Sequence, residues 1–427
     1  MMSMKKAMVM KIMKYMSDVA VVGAGAAGMI AAGTAANRGF SVTLVERNER
    51  PGRKLMITGK GRCNLTNDCE LTEFMNNVPW GEKFLYGAFS RFTPRELMAF
   101  FEELNVPLKV ERGKRVFPQS DKASDIVDAL RSFYLRAGVR TVNGRASGLL
   151  IEDGAVRGVS LEDGSPVLAR NVIVCTGGKS YPQTGSTGDG YNFARQAGHT
   201  VTELRPSLVP VETVEYWVHD LQGLSLRNVI LEVSDLSKKR VVYKELGELL
   251  FTHFGVSGPL VLSASAHMRD MKALSDGLYK FRIDLKPALS HEQLDLRLQR
   301  DFLKYANRNF ENSLNDLLPS KLIPVFVGLS GIPPQQKTNQ LTKAQRLAVV
   351  ELLKGFELTA KCFRPIEEAV ITSGGIKLGE INPSTMESKL VKGLYFAGEI
   401  LDADAYTGGF NLQIAFSTGF SAGCSVK

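Results

Sequence analysis

One segment limits the possible folds more than any other. Residues 18–22 form a short apolar run, Gly23-Ala24-Gly25-Ala26-Ala27-Gly28 follows at once, and an alanine-rich stretch runs from Ala26 to Asn37 before Gly39. With a second apolar run over Ser41–Glu46, this order predicts a strand, glycine turn, helix and strand, the βαβ opening of a mostly parallel sheet. Glycines at this spacing let the chain turn tightly, approach a ligand with bare backbone and pack the helix close to the strand. The helix N-terminus adds unpaired N–H groups and the positive end of its dipole, so the ligand it suits is a pyrophosphate. Glu46, eighteen residues past Gly28, stands where a carboxylate takes adenosine ribose hydroxyls and repels a 2′-phosphate. FAD or NAD is thereby favoured over NADP. The first group of cofactor-binding candidates is Gly23, Gly25, Ala26, Ala27, Gly28, Glu46 and Arg47. The competing reading, glycines serving only helix packing, is disfavoured because strand, turn, helix and acidic residue are all in place.

The choice between dinucleotides rests on the other end of the chain. Gly393-Leu-Tyr-Phe-Ala-Gly-Glu399 is a second strand ending in glycine and an acidic residue, which an NAD dehydrogenase does not need. In flavoproteins of the glutathione-reductase-like fold such a strand meets the ribityl and phosphate region, although aspartate is commoner than Glu399. Thr407-Gly-Gly-Phe-Asn411 leads into a last helix from about Asn411 to Cys424, whose N-terminal amides would face the flavin pyrimidine and stabilise the reduced ring. Gly398, Glu399, Gly409, Phe410, Asn411 and Leu412 are the candidates here, and FAD is the expected cofactor.

Two further segments point at the same ligand. Asn171–Thr176 reads as a buried parallel strand, and Thr176, Gly177 and Gly178 at its end are placed where open α/β sheets bind ligands. Gly52–Asn67 is glycine-rich and basic, so it can bring Lys54, Lys60 and Arg62 to the pyrophosphate with little steric cost. An exposed basic loop is the plainer alternative.

Between these segments the texture changes. Ala146–Glu152, Ala155–Leu161 and Pro166–Ala169 predict a meander turning at Asp153-Gly154 and Asp163-Gly164. Short β segments fill about Leu204–Leu285, helices His291–Phe302, Leu314–Leu318 and Thr342–Lys354 follow, and strand-and-glycine texture returns after Cys362. The capping-box spacing Thr93-Pro-Arg-Glu96 predicts a helix to Glu103, and Ser124–Ala137 reads as another.

Composition excludes several classes. No apolar run approaches the roughly 18 residues of a membrane span. The leader Met1–Ser17 interleaves seven methionines with four lysines, has too short an apolar run for a signal peptide and is expected to be disordered. Five cysteines without a C-x-x-C pair suit a reducing compartment, hence the cytoplasm. The balance of 53 basic to 44 acidic residues gives +9, four of it from the leader, with no basic block of the kind that follows nucleic-acid phosphates. A small-molecule substrate and no nucleic acid are expected, and an RNA-modifying flavoenzyme would want a basic surface not visible here. His199, His219, His267 and His291 show no metal-ligand spacing.

GAGAAG (Gly23–Gly28), GRKLMITGKGRCNLTN (Gly52–Asn67), TGGKSYPQTGSTGDGY (Thr176–Tyr191), LLFTHFGVSGP (Leu249–Pro259), TSGGI (Thr372–Ile376) and FAGEILDADAYTGGFNLQIAFSTG (Phe396–Gly419) together resemble the YhiN/BaiN-like family of bacterial NAD(P)/FAD-dependent oxidoreductases, also called aminoacetone-oxidase-like. The resemblance implies an α/β, glutathione-reductase-like (Rossmann-type) FAD domain, a β-barrel-like insert and a small helical domain nested within it. On this sequence the parts are a leader at 1–17, the split FAD domain at 18–203 and 363–427, the barrel at 204–285 and 355–362, and the helical insert at 286–354. It also implies that Gly61, Arg62, Cys63 and Asn64 of the GRCN motif meet the flavin. That reading disfavours a redox disulfide between Cys63 and Cys69, which are six apart where disulfide reductases pair cysteines five apart. NADH or NADPH is the expected transient donor, since no second strand-GxGxxG-helix unit follows. Two reactions fit the family: reduction of an activated carbon–carbon double bond in an enone or steroid-like substrate, and oxidation of a small amine such as aminoacetone by oxygen. A non-catalytic flavin-binding redox sensor is the third reading. Tyr181, His253 and Tyr406 are candidate proton donors.

Overall fold

The computed structural model describes residues 16–427. Apart from its last two residues, the expected leader lies outside the described residues; Met16 and Ser17 belong to the first strand. There are two compact units, a first running to Ser207 and resuming over Ile366–Lys427, and a second over Leu208–Pro365.

The first unit opens as β1 (Met16–Val22), α1 (Ala26–Asn37) and β2 (Val42–Glu46). A short helix α2 (Arg53–Ile57), a two-residue strand β3 (Thr66–Asn67), helices α3 (Leu71–Asn76), α4 (Glu82–Arg91) and α5 (Pro94–Glu103), and the β4 (Leu108–Glu111) and β5 (Arg115–Pro118) hairpin follow. Thr93 caps α5 as its spacing predicts: its hydroxyl accepts from the Glu96 N–H while the Glu96 carboxylate accepts from the Thr93 N–H. Helix α6 (Ala123–Arg136) leads to β6 (Arg140–Asn143), β7 (Ala146–Glu152), β8 (Ala155–Leu161) and β9 (Pro166–Val174). Asp153 and Gly154 both take positive φ, 50° and 71°, as a tight hairpin turn requires.

The separate strands expected at Pro166–Ala169 and Asn171–Thr176 are one. No glycine or proline interrupts Arg170-Asn171, so β9 runs through: its first half pairs antiparallel with β8, while residues 168–174 pair parallel with β1. After α7 (Asp189–Gln196), strand β10 (Arg205–Ser207) closes this half of the unit.

In the second unit, β11 (Val211–Thr213), β12 (Ser225–Asp235), β13 (Arg240–Phe251), β14 (Gly255–Ser257), helix α8 (Pro259–Ser265), β15 (Tyr279–Asp284), helices α9 (His291–Lys304), α10 (Ile323–Ser330) and α11 (Lys343–Lys354), and β16 (Phe356–Phe363) follow in order. The six strands close into a barrel, β11-β14-β13-β12-β15-β16. Its inward positions, among them Leu231, Val233, Phe281, Ile283 and Leu358, are fully or nearly fully buried. Facing outward, Lys244, Glu232, Arg282 and Glu357 are register partners on four successive strands, a ladder of alternating charge in which each carboxylate sits beside a cation. The helices share the barrel's hydrophobic core rather than forming a second one: Leu294, Leu298, Phe326 and Val350 belong to the same buried cluster as Phe281 and Leu358. Leu314–Leu318 is a turn rather than a helix, and the helix in this stretch is instead α10, whose proline stands at its second residue.

The chain re-enters the first unit through β17 (Ile371–Ser373), which pairs with β10, so Arg205–Ser207 belongs here rather than to the barrel. Strand β18 (Leu394–Phe396) pairs parallel with the upper half of β9, Leu394 opposite Val172. The result is a sheet ordered β6-β2-β1-β9-β8-β7 with β18 beside β9. Helix α12 (Phe410–Ser425) ends the chain against α1. A Cβ on Gly419 would lie 2.3 Å from the Ala27 carbonyl oxygen, and one on Gly423 would lie 2.7 Å from that of Ala31. Two interior helix glycines cost about 1–2 kcal/mol relative to alanine; direct backbone contact between the first and last helices is what offsets that cost. Gly419→Val is therefore expected to destabilise the first unit by about 2 kcal/mol or more through overpacking, read as a lower Tm.

His199, just past α7, is buried and joins this unit's return segment, its Nε2 2.7 Å from Ser388 Oγ and its Nδ1 3.2 Å from Glu380 Oε2. Burial holds its pKa below the usual 6.5 although Glu380 pulls the other way. The folded state therefore favours the neutral ring. The corresponding stability is present above about pH 6.5 and is lost as pH falls toward the folded-state pKa, because the unfolded chain binds the proton first. The unfolding midpoint should fall between about pH 7 and 5, and His199→Gln should flatten that dependence relative to the unaltered chain.

Candidate functional site

The parallel strands β1, β2, β9 and β18 end on one side of the first unit's sheet, and backbone bonds tie their ends into a crest. Gly23 N–H donates to Val45 O (2.8 Å), Cys175 N–H to Val22 O (2.8 Å) and Ala397 N–H to Val174 O (3.1 Å). Gly52 N–H donates to Ala24 O (2.9 Å), holding the basic segment against the glycine turn.

The three glycines of the turn differ in the way a pyrophosphate site requires. Gly23 has φ +99° and a Cβ there would meet the Cys175 carbonyl oxygen at 2.7 Å; a Cβ on Gly28 would sit 1.8 Å from the Gly23 carbonyl oxygen. Gly25, which caps α1 at ordinary φ, has nothing within 4 Å of a Cβ position. Two glycines are thus demanded by the chain itself, and the third faces open space beside unpaired helix amides. Glu46 is held at the end of β2, Oε2 accepting from Ala24 N–H (2.6 Å) and Oε1 from Asn48 N–H (2.8 Å). Arg47 donates to Thr187 Oγ1 (2.9 Å) and pairs with Asp189 (3.2 Å), which fixes the Thr184–Asp189 stretch beside Glu46.

Lys54 on α2 reaches Glu399 Oε2 at 2.6 Å and Ser180 Oγ at 2.7 Å. Thr176 and Gly177 are half-buried after β9, and Gly178 lies so near Thr372 that a Cβ would be 2.5 Å from Thr372 Oγ1. Two hydroxyls in this region, Thr176 Oγ1 and Tyr191 Oη, are buried with no hydrogen-bond partner. Burial, aided by Glu399 and Asp402, pushes the Tyr191 pKa up, so its hydroxyl stays protonated.

At the start of α12, Gly409 has φ +99° and approaches Thr66 so closely that a Cβ would lie 2.3 Å from the Thr66 carbonyl oxygen. With its amide oriented to satisfy both ends, Asn64 accepts from Gly409 N–H (3.1 Å) and donates to Thr66 O and Val116 O. Phe410 turns its ring into the core against Phe74, centroids 4.8 Å apart, and Asn411 clasps Ala405 and Tyr406 through their backbone. Leu412 is half-buried against the main core. These side chains hold the helix in place; what α12 offers a ligand is its backbone. Gly398 is packed near Ala27 of α1, its notional Cβ 3.1 Å from that methyl.

Not every expected residue joins the crest. Arg62 pairs with Glu111 (2.5 Å) and Asp121 (2.8 Å) and lies 4.0 Å over the Phe117 ring, so its charge is neutralised on the β4–β5 hairpin. Lys60 is exposed and Gly61 half-buried in the same kinked turn. Cys63 is fully buried in a left-handed conformation, and burial pushes its thiol up to about 12; Cys69 is likewise raised, to about 11. Neither forms a disulfide, and neither carries the thiolate that redox exchange needs. Tyr181 is half-buried in a left-handed turn after β9, and Tyr406 is half-buried with its N–H bonded to Asn77 O. His253 is exposed on the β13–β14 turn of the second unit. Ser180, Thr372 and Asn48 also line this region without a motif of their own in the sequence; the sequence signal for the first two is a Gly-Gly pair two residues away, Gly177-Gly178 and Gly374-Gly375.

The residues fit an adenine dinucleotide with a flavin end: a bare-backbone cradle at Gly25, a carboxylate at Glu46, a cation at Lys54, the N-termini of α1 and α12, and unpartnered hydroxyls under the crest. Among the described residues no cluster could hold a metal ion and no helix is long and apolar enough to cross a membrane.

Comparison with known proteins agrees. The chain is 32% identical over 420 residues to the 3-dehydro-bile acid delta(4,6)-reductase of Clostridium scindens, covering 96% of this chain and 98% of that protein. It is 30% identical over 416 residues to the ribosomal RNA dihydrouridine synthase of Escherichia coli, covering 95% and 96%. In fold it is similar to the 3-ketosteroid delta1-dehydrogenase of Sterolibacterium denitrificans, with a TM-score of 0.51, 15% identity, and 96% and 99% of the two chains covered.

Gly25→Val, at a position with room for a side chain and an ordinary φ, is expected to fold normally and purify without flavin, as read from its melting curve and visible spectrum together. Residues 17–425 match the model described as HI0933-like protein Rossmann domain, and with that match the chain belongs to the HI0933-like family of FAD-dependent oxidoreductases.

Proposed function

We propose that the protein saturates a carbon–carbon double bond conjugated to a ring carbonyl, with NADH or NADPH as the electron donor. The observation that carries this reading is what the two relatives have in common. One is named for reducing the delta(4,6) double bonds of a 3-dehydro bile acid, and the other for making dihydrouridine, which is uridine with its ring double bond saturated. In both, the alkene is polarised by a conjugated carbonyl, so hydride is accepted at the electron-poor end of the conjugated system, the β-carbon of a simple enone or the δ-carbon of a dienone, and a proton is needed at the neighbouring carbon nearer the carbonyl.

Bound FAD supplies the hydride chemistry. The chain's own part is to hold the dinucleotide at Gly25 and Glu46, to set Lys54 and the α12 amides against its negative charge, and to deliver the proton. Tyr406 is the favoured donor of the three expected: it lies three residues before the cap of α12, and Asn77 and Asn411 fix its backbone. Tyr181 is the alternative from the β9 loop. With no second dinucleotide turn in the sequence, the nicotinamide donor docks transiently. Cytoplasmic residence is part of this reading and is consistent with five free cysteines.

The first acceptor class is a small enone such as a 3-keto-4-ene steroid. Uridine in ribosomal RNA is the second reading, favoured by the Escherichia coli relative although the sequence has no basic block. Anaerobic titration is expected to bleach the flavin with NADH or NADPH, and an unsaturated carbonyl to reoxidise it. Reoxidation by the steroid supports the first reading; dihydrouridine appearing by mass spectrometry in unmodified ribosomal RNA supports the second. Bleaching only by an amine would make the protein an oxidase, and no bleaching by either donor would leave a flavin-binding sensor.

A further inference from the structure

Both oxygens of the Glu399 carboxylate are engaged by the protein itself. Oε2 accepts from Lys54 Nζ at 2.6 Å, while Oε1 accepts from Thr372 N–H at 2.9 Å and from Ser180 Oγ at 3.0 Å. Ser180 Oγ in turn accepts from Lys54 Nζ at 2.7 Å, and Thr372 Oγ1 accepts from the Lys179 and Ser180 N–H groups at 2.8 and 3.1 Å. Gly178 leaves room for this cluster: a Cβ there would lie 2.5 Å from Thr372 Oγ1 and 3.0 Å from Glu399 Oε1. Helix α2, the loop after β9, strand β17 and the loop after β18 therefore converge on a single Lys–Glu pair.

An ammonium has three N–H donors, and Lys54 uses two of them on Glu399 and Ser180. The side chains of Lys54 and Glu399 are 23% and 20% exposed, shielded from bulk water yet open to a ligand. Such a half-buried pair contributes little net stability, since desolvation offsets most of the attraction. Its position on the crest, among the parallel strand ends where dinucleotides bind, gives it another use. Arg62 cannot serve in its place, being held by Glu111 and Asp121.

We propose that Glu399 is a positioning residue that makes no contact with the cofactor. It aims Lys54 so that the remaining N–H meets a phosphate oxygen of bound FAD. This assigns the glutamate a role different from the ribityl or phosphate contact expected of an acidic residue at that strand end. The inference rests on the family's cofactor and is independent of the electron acceptor.

The test is a cycle of FAD dissociation constants, measured by flavin fluorescence quenching on refolded or deflavinated apoprotein whose melting curves have been matched. Lys54→Met and Glu399→Gln are each expected to weaken FAD about tenfold or more, the scale of one charge-assisted hydrogen bond. The double variant should bind no more weakly than Lys54→Met alone. The salt dependence of binding should fall in Lys54→Met and in Glu399→Gln alike, which a purely structural glutamate would not produce. If Glu399→Gln retained its full effect on the Lys54→Met background, Glu399 would be contacting the cofactor directly and the proposal would be wrong. Unchanged or tighter FAD binding by Glu399→Gln would also overturn it. Should Glu399→Gln fail to fold, Ser180→Ala removes a support shared by both partners. It is expected to weaken FAD in the native background and to have no effect on the Lys54→Met background; equal effects in both would contradict the proposal.

Discussion

The first unit depends on the contact between its first and last helices. Gly419 and Gly423 of α12 lie against the backbone of Ala27 and Ala31 of α1, close enough that any side chain at either glycine would overlap a carbonyl oxygen. The contact joins segments almost four hundred residues apart and lays the middle of α12 along the start of α1. Chain closure of that length is entropically costly but only slowly more so with length, so a long insertion between the halves is tolerable. The second unit is such an insertion. It has its own barrel and its own core, and the first unit's sheet is complete without it.

Carboxylates of the first unit are paired with cations, so that the crest is left to meet a ligand's negative charge. Arg47 and Arg145 hold Asp189, and Arg62 and Lys109 hold Asp121. Lys54 and Glu399 balance each other within the crest, while α1 and α12 are capped by glycines, which have no side chain to occupy the first-turn amides and so leave them to a ligand. A site of this kind binds a dianionic pyrophosphate without burying an uncompensated cation beforehand. The cysteines take no part: burial raises their pKa values, and the chemistry is left to the cofactor.

Much of this was legible in the sequence because local rules and tertiary outcome agree. The Gly23–Gly28 turn, the Thr93 and Thr342 capping boxes and the Asp153-Gly154 hairpin each follow from residues within a few positions of one another. What was not legible depends on distant partners. Arg62 looks like a phosphate ligand beside glycines, but Glu111 and Asp121, some fifty residues on, claim it. Asn411 and Phe410 look like flavin contacts at a helix start, and their side chains turn out to brace that start from within. The engagement of Glu399 by Lys54, Ser180 and Thr372 brings together four segments that no spacing rule relates. Arg205–Ser207 pairs with β17 and not with the barrel, and a short β segment carries no sign of which sheet it will join.

The account's central claim is that the two ends of this chain together form an FAD site, and the most direct measurement is the visible absorption spectrum of the purified protein before and after incubation with FAD. The account predicts a bound oxidised flavin, either as purified or after reconstitution, in one-to-one ratio with the chain. A folded protein that stays colourless and takes up no FAD would contradict it.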